Sequence, residues 1–506
     1  MTGLGWPVTD WVDFHARHRP DSVALDGLDS GLRLTWDALG ARVARLAGAL
    51  TGRLGIRAGE RVAVVADDDP RVIELQFACN RIGAVFVPFN WRLAPVEIES
   101  LCRDAEPSVI VHDDSWQELA VGLRDRLAIP RIASWGCPDT ELDLDQARDT
   151  SGPVAARRDH TSGQVSQVLY TSGTTGTPKG AMIPLGSLIA NTMNVVDGLS
   201  LAGPPARYLS ALPLFHAAGL NVMANPVLMT GGRMSIVRRF EPERVARLLG
   251  DPANGYTHFN AAPAMYQMMA EHLEGRDFSA LRASMAGGSR LEPELSDRLA
   301  ELGIVAQTAW GGTEMGPNLT LTPRRDRAGK VEAVGLPVRY TELRVVDPVT
   351  GRDVPRGQAG EAWCRGPSVC AGYWRRDSPF EDGWFRSGDA VRIDDDGFVV
   401  LSGRFKDMYK SGGENVFAAE VEAILLGHPA VAEVAVIGVP DPKWGEVGRA
   451  VVVPVPGGSI GLAELVEHCT GRLARYKIPK SVVTVGALPR NVLGKVTKDV
   501  VRRDHG

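Results

Sequence analysis

The 506-residue sequence predicts an α/β protein: a large N-terminal domain of mostly parallel sheets flanked by helices, a small β-rich subdomain, and a small α+β C-terminal domain. Three observations predict this. Short, continuous Val/Ile runs alternate with helically spaced apolar residues through the first half, as strands buried on both faces do. Turn residues crowd together from about residue 340. After Gly403-Arg404 the pattern changes again, over a tail of about 100 residues, an ordinary domain size.

Each element follows from its own pattern. Residues 61–66, 84–88 and 108–111 are β-branched strand runs, and 71–82 carries helical spacing. The alternation resumes after residue 200. A strand at 256–260 precedes a helix opening near Pro263, a strand at 281–286 ends in Gly287-Gly288, and a strand at 304–309 ends in Gly311-Gly312. Ligands of doubly wound sheets sit outside the carboxyl ends of strands, where such loops lie. The turns Asp347-Pro348, Thr350-Gly351, Arg356-Gly357 and Asp394–Gly397 mark short antiparallel strands. In the tail, 418–426 and 462–473 read as helices, and 431–439 and 449–455 as strands. No internal repeat or low-complexity tract occurs.

Composition excludes several classes. Acids and bases are interspersed and the net charge is −5, so no electrostatic footprint for nucleic acid is present. No stretch approaches the ~20 apolar residues of a membrane span. The N-terminus lacks the basic and apolar regions of a secretory leader. Six scattered cysteines form no CxxC pair, which fits reduced thiols in the cytoplasm. There is no HExxH, and no GxSxG elbow of an α/β-hydrolase.

The most informative stretch is residues 170–180, Tyr-Thr-Ser-Gly-Thr-Thr-Gly-Thr-Pro-Lys-Gly. It holds three glycines, a lysine and a block of hydroxyls, with no acid and no large apolar side chain. Glycines let backbone N–H groups converge on an anion, hydroxyls add donors, and lysine adds a point charge. The reading is a phosphate cradle; for a lone stretch of this composition, a flexible surface loop is the alternative. It is not a Walker A loop, which needs glycine directly before its lysine and Ser/Thr directly after.

Other stretches carry weaker signals. Trp310-Gly311-Gly312-Thr313-Glu314 offers an aromatic face for a base, close backbone approach and a carboxylate for a cation; a turn with a surface acid is the rival. Gly383–Asp389 ends in an aspartate, an acceptor suited to two adjacent hydroxyls. Gly403-Arg404-Phe405-Lys406-Asp407 reads as a charged linker, and Ser411-Gly412-Gly413-Glu414 as a tight loop. Arg472, Arg475, Lys477 and Lys480 cluster around Tyr476. Leu488–Val496 presents Lys495, and Pro213–Gly219 presents His216, for which a packed structural role is the rival.

Taken together and in this order, over roughly residues 10–500, these motifs resemble those of the adenylate-forming superfamily: acyl-CoA synthetases, peptide-synthetase adenylation domains and firefly-type luciferases. The resemblance implies an N-terminal adenylation domain at 1–405 and a mobile C-terminal domain at 406–506. For ATP it implies Thr171, Ser172, Gly173, Thr174, Thr175, Gly176, Gly288, Trp310, Gly311, Thr313, Asp389 (ribose) and Arg404. The catalytic groups would be Lys179, His216, Glu314, which also binds Mg²⁺, and Lys495. The acyl pocket would be lined by His216, Asn221, Met285, Ala286, Gly287, Gly288, Ala309, Gly311, Gly312 and Met315. CoA would meet Ser411, Gly412, Gly413, Glu414, Arg475 and Lys477, with Lys406 as hinge. Gly312 stands where relatives often carry a larger residue, Ser387 where they have threonine, and Ala418 where they have proline.

The implied activity is ATP-dependent ligation of a carboxylic acid to CoA through an acyl-AMP, with an aryl or medium-to-long aliphatic acid favoured over acetate. No aspartate lies in 213–219, where amino-acid-activating relatives place one. Three alternatives stay open at this level: transfer to a carrier protein or an amine, activation of another oxyanion, and a nucleotide-binding protein without catalysis. The chain is expected to act as a monomer or homodimer in the cytoplasm.

Overall fold

The computed structural model describes residues 8, 10–137, 141–157, 159–171, 178–411, 414–490 and 495–506. Contacts divide the chain into two compact units. One comprises residues up to Glu342 together with Cys364–Phe385, the other Leu343–Trp363 with Arg386–Gly506. The boundary expected at 405 concerns a pivot and belongs to the proposal below.

The first unit carries two sheets. Among the described residues the smaller has six strands, in the order Ile132–Trp135, Val109–Asp113, Arg61–Val65, Val85–Pro88, Val165–Thr171, Lys179–Pro184. All its pairs are parallel except the last. The larger has nine; its central run, Ala306–Gly312, Ala283–Ala286, His258–Ala261, Arg207–Ser210, Arg233–Ile236 and Val23–Gly27, is parallel throughout. Burial of the β-branched runs drives this assembly. Val62, Val64, Val85, Val109, Ile110 and Val111 are all buried, and each such side chain contributes roughly 1.5–3 kcal/mol relative to exposure.

The helix expected at 71–82 forms as Pro70–Ile82 because both ends are specified. The Asp69 carboxylate accepts from the Arg71 N–H, proline opens the first turn, and Gly83 closes it at φ +79°. Two elements near the motifs differ from expectation. Lys179 begins a strand, with Thr171 paired to Lys179, so the 172–178 connection joins two antiparallel strands before the helix Leu185–Val195 begins. No helix N-terminus therefore follows Lys179 directly. Trp310-Gly311-Gly312 does not follow a strand but ends one, and the chain turns through Glu314 into the antiparallel strand Gly316–Leu321.

Among its described residues, the second unit contains a five-stranded sheet built on the long hairpin Val431–Asp441 and Gly445–Pro454. The helices Ala418–Leu426, Leu462–Cys469 and Lys498–His505 accompany it. The helix expected over 462–473 stops at Cys469, because Thr470 is extended and Gly471 takes φ +80°. Among the described residues no helix is long and apolar enough to cross a membrane.

Candidate active site

In the first unit, three strand ends bring distant residues together. The Thr171 hydroxyl donates to Glu314 Oε1 at 2.8 Å. The Tyr373 hydroxyl donates to the same oxygen at 3.1 Å. The Lys179 ammonium lies 5.2 Å from the centroid of the Tyr373 ring, within cation–π range. Burial, then the Glu314 charge and its hydrogen bond, push the Tyr373 phenol far above its ordinary pKa, so it stays a donor. Thr171, Lys179 and Glu314 were expected from sequence; Tyr373 was not. Of the loop between Thr171 and Lys179, Ser172, Gly173, Thr174, Thr175 and Gly176 lie outside the described residues.

Trp310 is buried in its strand, its N–H donating to Thr320 Oγ1 at 3.2 Å. Gly311 has a steric reason to be glycine. A Cβ there would fall 2.4 Å from the Gly316 carbonyl oxygen and 2.5 Å from that of Pro317. Gly312 is less crowded: its Cβ would meet the Met315 side chain at 3.1 Å and Glu314 Oε2 at 3.8 Å. Thr313 and Met315 are buried, and Ala309 and Gly287 are partly exposed. Gly288 is exposed at φ +88°, a conformation that favours glycine. Met285 and Ala286 are buried in their strand.

His216 caps the short helix Ala217–Gly219, and its Nδ1 accepts from the Ala218 N–H at 3.2 Å. The residue is half-buried, and desolvation lowers its pKa to about 4, so the imidazole is neutral. The Leu214 N–H beside it is held by buried Asp68, at 2.8 Å. Asn221 is committed to a buried carboxamide chain. Its Nδ2 donates to Gln167 Oε1 at 2.9 Å and its Oδ1 accepts from Asn225 at 2.7 Å. That pairing gives Asn221 a packing role beneath the expected acyl segment.

The second unit groups another set. Asp389 is buried and pairs with Arg404 Nε at 2.8 Å across adjacent strands. Buried Glu361, not expected from sequence, organises the approach to Asp389. It accepts from the Gly388 N–H at 3.2 Å, from Arg386 at 2.9 Å and from the Trp363 indole at 2.9 Å. Lys495 is exposed by area, yet its pKa lies below the lysine norm. Partial desolvation and Arg404 lower it, Asp389 and Asp407 raise it, and Lys406 lowers it again. Lys406 reaches Asp499 at 3.3 Å. Among the expected CoA residues, Ser411 is buried, Arg475 is exposed, and Lys477 is ion-paired to Glu420 at 2.6 Å. Gly412, Gly413 and the Glu414 side chain lie outside the described residues.

Two family models match, one described as AMP-binding enzyme over residues 12–374 and one as AMP-binding enzyme C-terminal domain over 420–495. The chain belongs to the AMP-binding enzyme family. Within it, this enzyme falls in the acid–CoA ligase branch. It is 40% identical to a feruloyl-CoA synthase of an Amycolatopsis species, over 100% of this chain and 99% of that protein. It is 34% identical to the indoleacetate–CoA ligase of Aromatoleum aromaticum, over 98% of each. The ATP-bound crystal structure of MatB from Rhodopseudomonas palustris superposes with a TM-score of 0.88 at 31% identity, covering 98% of this chain and 99% of that one.

The donors around Glu314 fit the Mg²⁺ ion that the family resemblance implies. Both hydroxyl donors go to Glu314 Oε1, and among the described residues none goes to Oε2. No cluster of three or more His, Cys, Asp or Glu is arranged to hold a metal alone, among those residues. One carboxylate together with substrate phosphates is a usual magnesium arrangement.

Proposed function

We propose that this enzyme activates an aryl acid with a short side chain, of the hydroxycinnamic or arylacetic class, as its acyl-AMP and transfers the acyl group to CoA. The observation that carries the adenylation half is the convergence of Thr171, Lys179 and Glu314 at adjoining strand ends. Full-length similarity to a feruloyl-CoA synthase and an indoleacetate–CoA ligase supports the acid class. At Gly287 and Gly288 an added Cβ would meet nothing closer than 3.6 Å, which leaves room for a ring, and no carboxylate in 213–219 waits for an ammonium group.

In the first half-reaction a carboxylate oxygen attacks the α-phosphorus of ATP, and the bond to pyrophosphate breaks. Lys179 and the hydroxyl-rich loop hold the phosphates, Glu314 presents Oε2 toward them, and Asp389 accepts from the ribose hydroxyls. Bound there, Mg²⁺ would offset phosphate charge. Lys495 offsets charge on the attacking carboxylate and α-phosphate. In the second half-reaction the CoA sulfur attacks the carbonyl carbon and AMP leaves. A pivot at Lys406 withdraws Lys495 between the two, so one site serves both steps. Neutral His216 lines the carboxylate entrance without competing for its charge.

The test is a pyrophosphate-release screen over ferulate, coumarate, indole-3-acetate, benzoate, decanoate, palmitate and acetate, with mass spectrometry of products with and without CoA. Thioester from the aryl acids, with little release from palmitate or acetate, is expected. Adenylate that never becomes thioester with CoA present would move the acceptor to a carrier protein or an amine. Preference for decanoate or palmitate would overturn the acid class.

A further inference from the structure

The chain from Val369 to Trp374 links the lysine strand to the Glu314 turn. The Ala371 N–H donates to the Met182 carbonyl at 2.8 Å, the Met182 N–H to Gly372 at 2.9 Å, and the Trp374 N–H to Gly180 at 2.7 Å. The strap is thus an extra partner for the strand that Lys179 begins. It also grips the glutamate turn twice. The Cys370 N–H donates to the Glu314 carbonyl at 2.8 Å, and the Tyr373 hydroxyl donates to its side chain. Tyr373 therefore touches both charged groups of the site: its hydroxyl the carboxylate, its ring the ammonium.

The glutamate needs such a tether. The terminal torsion of a glutamate is broad and roughly two-fold, so no rotamer well fixes the plane of its carboxylate. Two hydroxyl donors on one oxygen do. Thr171 and Tyr373 approach Oε1 from sequence positions 143 and 59 residues away. Oε2 takes no hydrogen bond among the described residues and is left for a cation. Neither donor carries charge, so the full negative charge of Glu314 stays available.

We propose that Tyr373 is a positioning residue with two separable jobs: its hydroxyl, with Thr171, orients Glu314 so that Oε2 faces a divalent cation on ATP, and its ring seats Lys179. This rests on the reading of Glu314 and Lys179 as the cation and phosphate groups. Partners that orient a metal ligand are typically worth about 10–100-fold in metal affinity. Tyr373→Phe removes the hydroxyl and keeps the ring; Tyr373→Leu removes both.

The experiment measures Mn²⁺ binding to the enzyme·ATP complex by electron paramagnetic resonance, and metal-free ATP binding by calorimetry in EDTA. Thermal melts confirm folding. Tyr373→Phe should weaken Mn²⁺ about tenfold and leave metal-free ATP affinity unchanged. Tyr373→Leu should weaken both. Thr171→Val should weaken Mn²⁺ about as much as Tyr373→Phe does, and Thr171→Ser, which keeps a hydroxyl, should restore most Mn²⁺ affinity. Wild-type Mn²⁺ affinity in a folded Tyr373→Phe variant overturns the hydroxyl's role, and unchanged metal-free affinity in Tyr373→Leu overturns the ring's. If the wild type itself binds no ATP, the underlying reading fails, a result distinct from either. If Tyr373→Phe unfolds, Thr171→Val decides the hydroxyl tether alone.

Discussion

Glu314 and Asp389 are both carboxylates proposed to meet the nucleotide, and they are held in opposite ways. Glu314 is fixed by two neutral hydroxyls and keeps its charge uncompensated by any described cation within hydrogen-bond reach. Asp389 is buried against the Arg404 guanidinium, so its charge is already offset. The first arrangement suits a site that meets a cation carried in with its substrate. The second suits neutral hydroxyl donors, where a carboxylate is wanted for its lone pairs rather than for its field. The difference shows that a site's electrostatics are set by the groups around a carboxylate as much as by the carboxylate.

The largest effect should come from the third charged group. Lys495→Ala should lower adenylate formation by roughly 10²–10³-fold and spare thioester formation from supplied acyl-adenylate; equal loss of both halves, measured separately, would contradict its role. Lys406→Pro should leave adenylation intact and block thioester formation, and normal overall turnover would count against the pivot. The carboxylates themselves give the sharpest contrast. Glu314→Gln keeps the acceptor for both hydroxyls but removes the charge, and should cut adenylation about 10²-fold while raising the Mg²⁺ concentration needed for half-maximal rate. Asp389→Asn should raise KM for ATP roughly tenfold with an unchanged Mg²⁺ requirement. If the two variants responded alike to Mg²⁺, the contrast would fall.

The smallest effect concerns Asp68, whose pKa desolvation raises to about 7, against the Leu214 N–H and Arg92, which lower it, and with Asp67, which raises it. A native pKa above the unfolded value of 3.8 means the folded state holds the proton more tightly. Its stabilisation is full below the unfolded value and is lost as pH rises through about 7. Asp68→Asn keeps an oxygen for Leu214 and cannot ionise. Its Tm should exceed that of the wild type by roughly 2–4 °C more at pH 8 than at pH 5; equal shifts at the two pH values would show that Asp68 stays ionised.

The motifs made Thr171, Lys179, Glu314, Asp389 and Lys495 legible because each sits in a local pattern of glycines and hydroxyls or prolines. Tyr373 and Glu361 were not legible, since each acts through partners tens of residues away and nothing beside it in the chain marks it. The same limit explains the two misplaced elements. Apolar spacing beyond Cys469 outweighed the Thr470-Gly471 stop signal, and the strand beginning at Lys179 is created by pairing to Val165–Thr171 and the Tyr373 strap. The alternating sheets needed no such long-range knowledge, because burial on both faces leaves its mark on every strand.

The neighbouring glycines at 311 and 312 divide the routes open to anyone redesigning selectivity. The first is barred to any side chain by two backbone carbonyls, which cannot step aside. The second admits an alanine once Met315 swings away, but the added methyl would point toward Glu314 Oε2, 3.8 Å off. On the proposed reading, narrowing the substrate range through this hairpin would trade against the grip on the nucleotide's counter-ion, so engineered variants should be sought on the 285–288 side first.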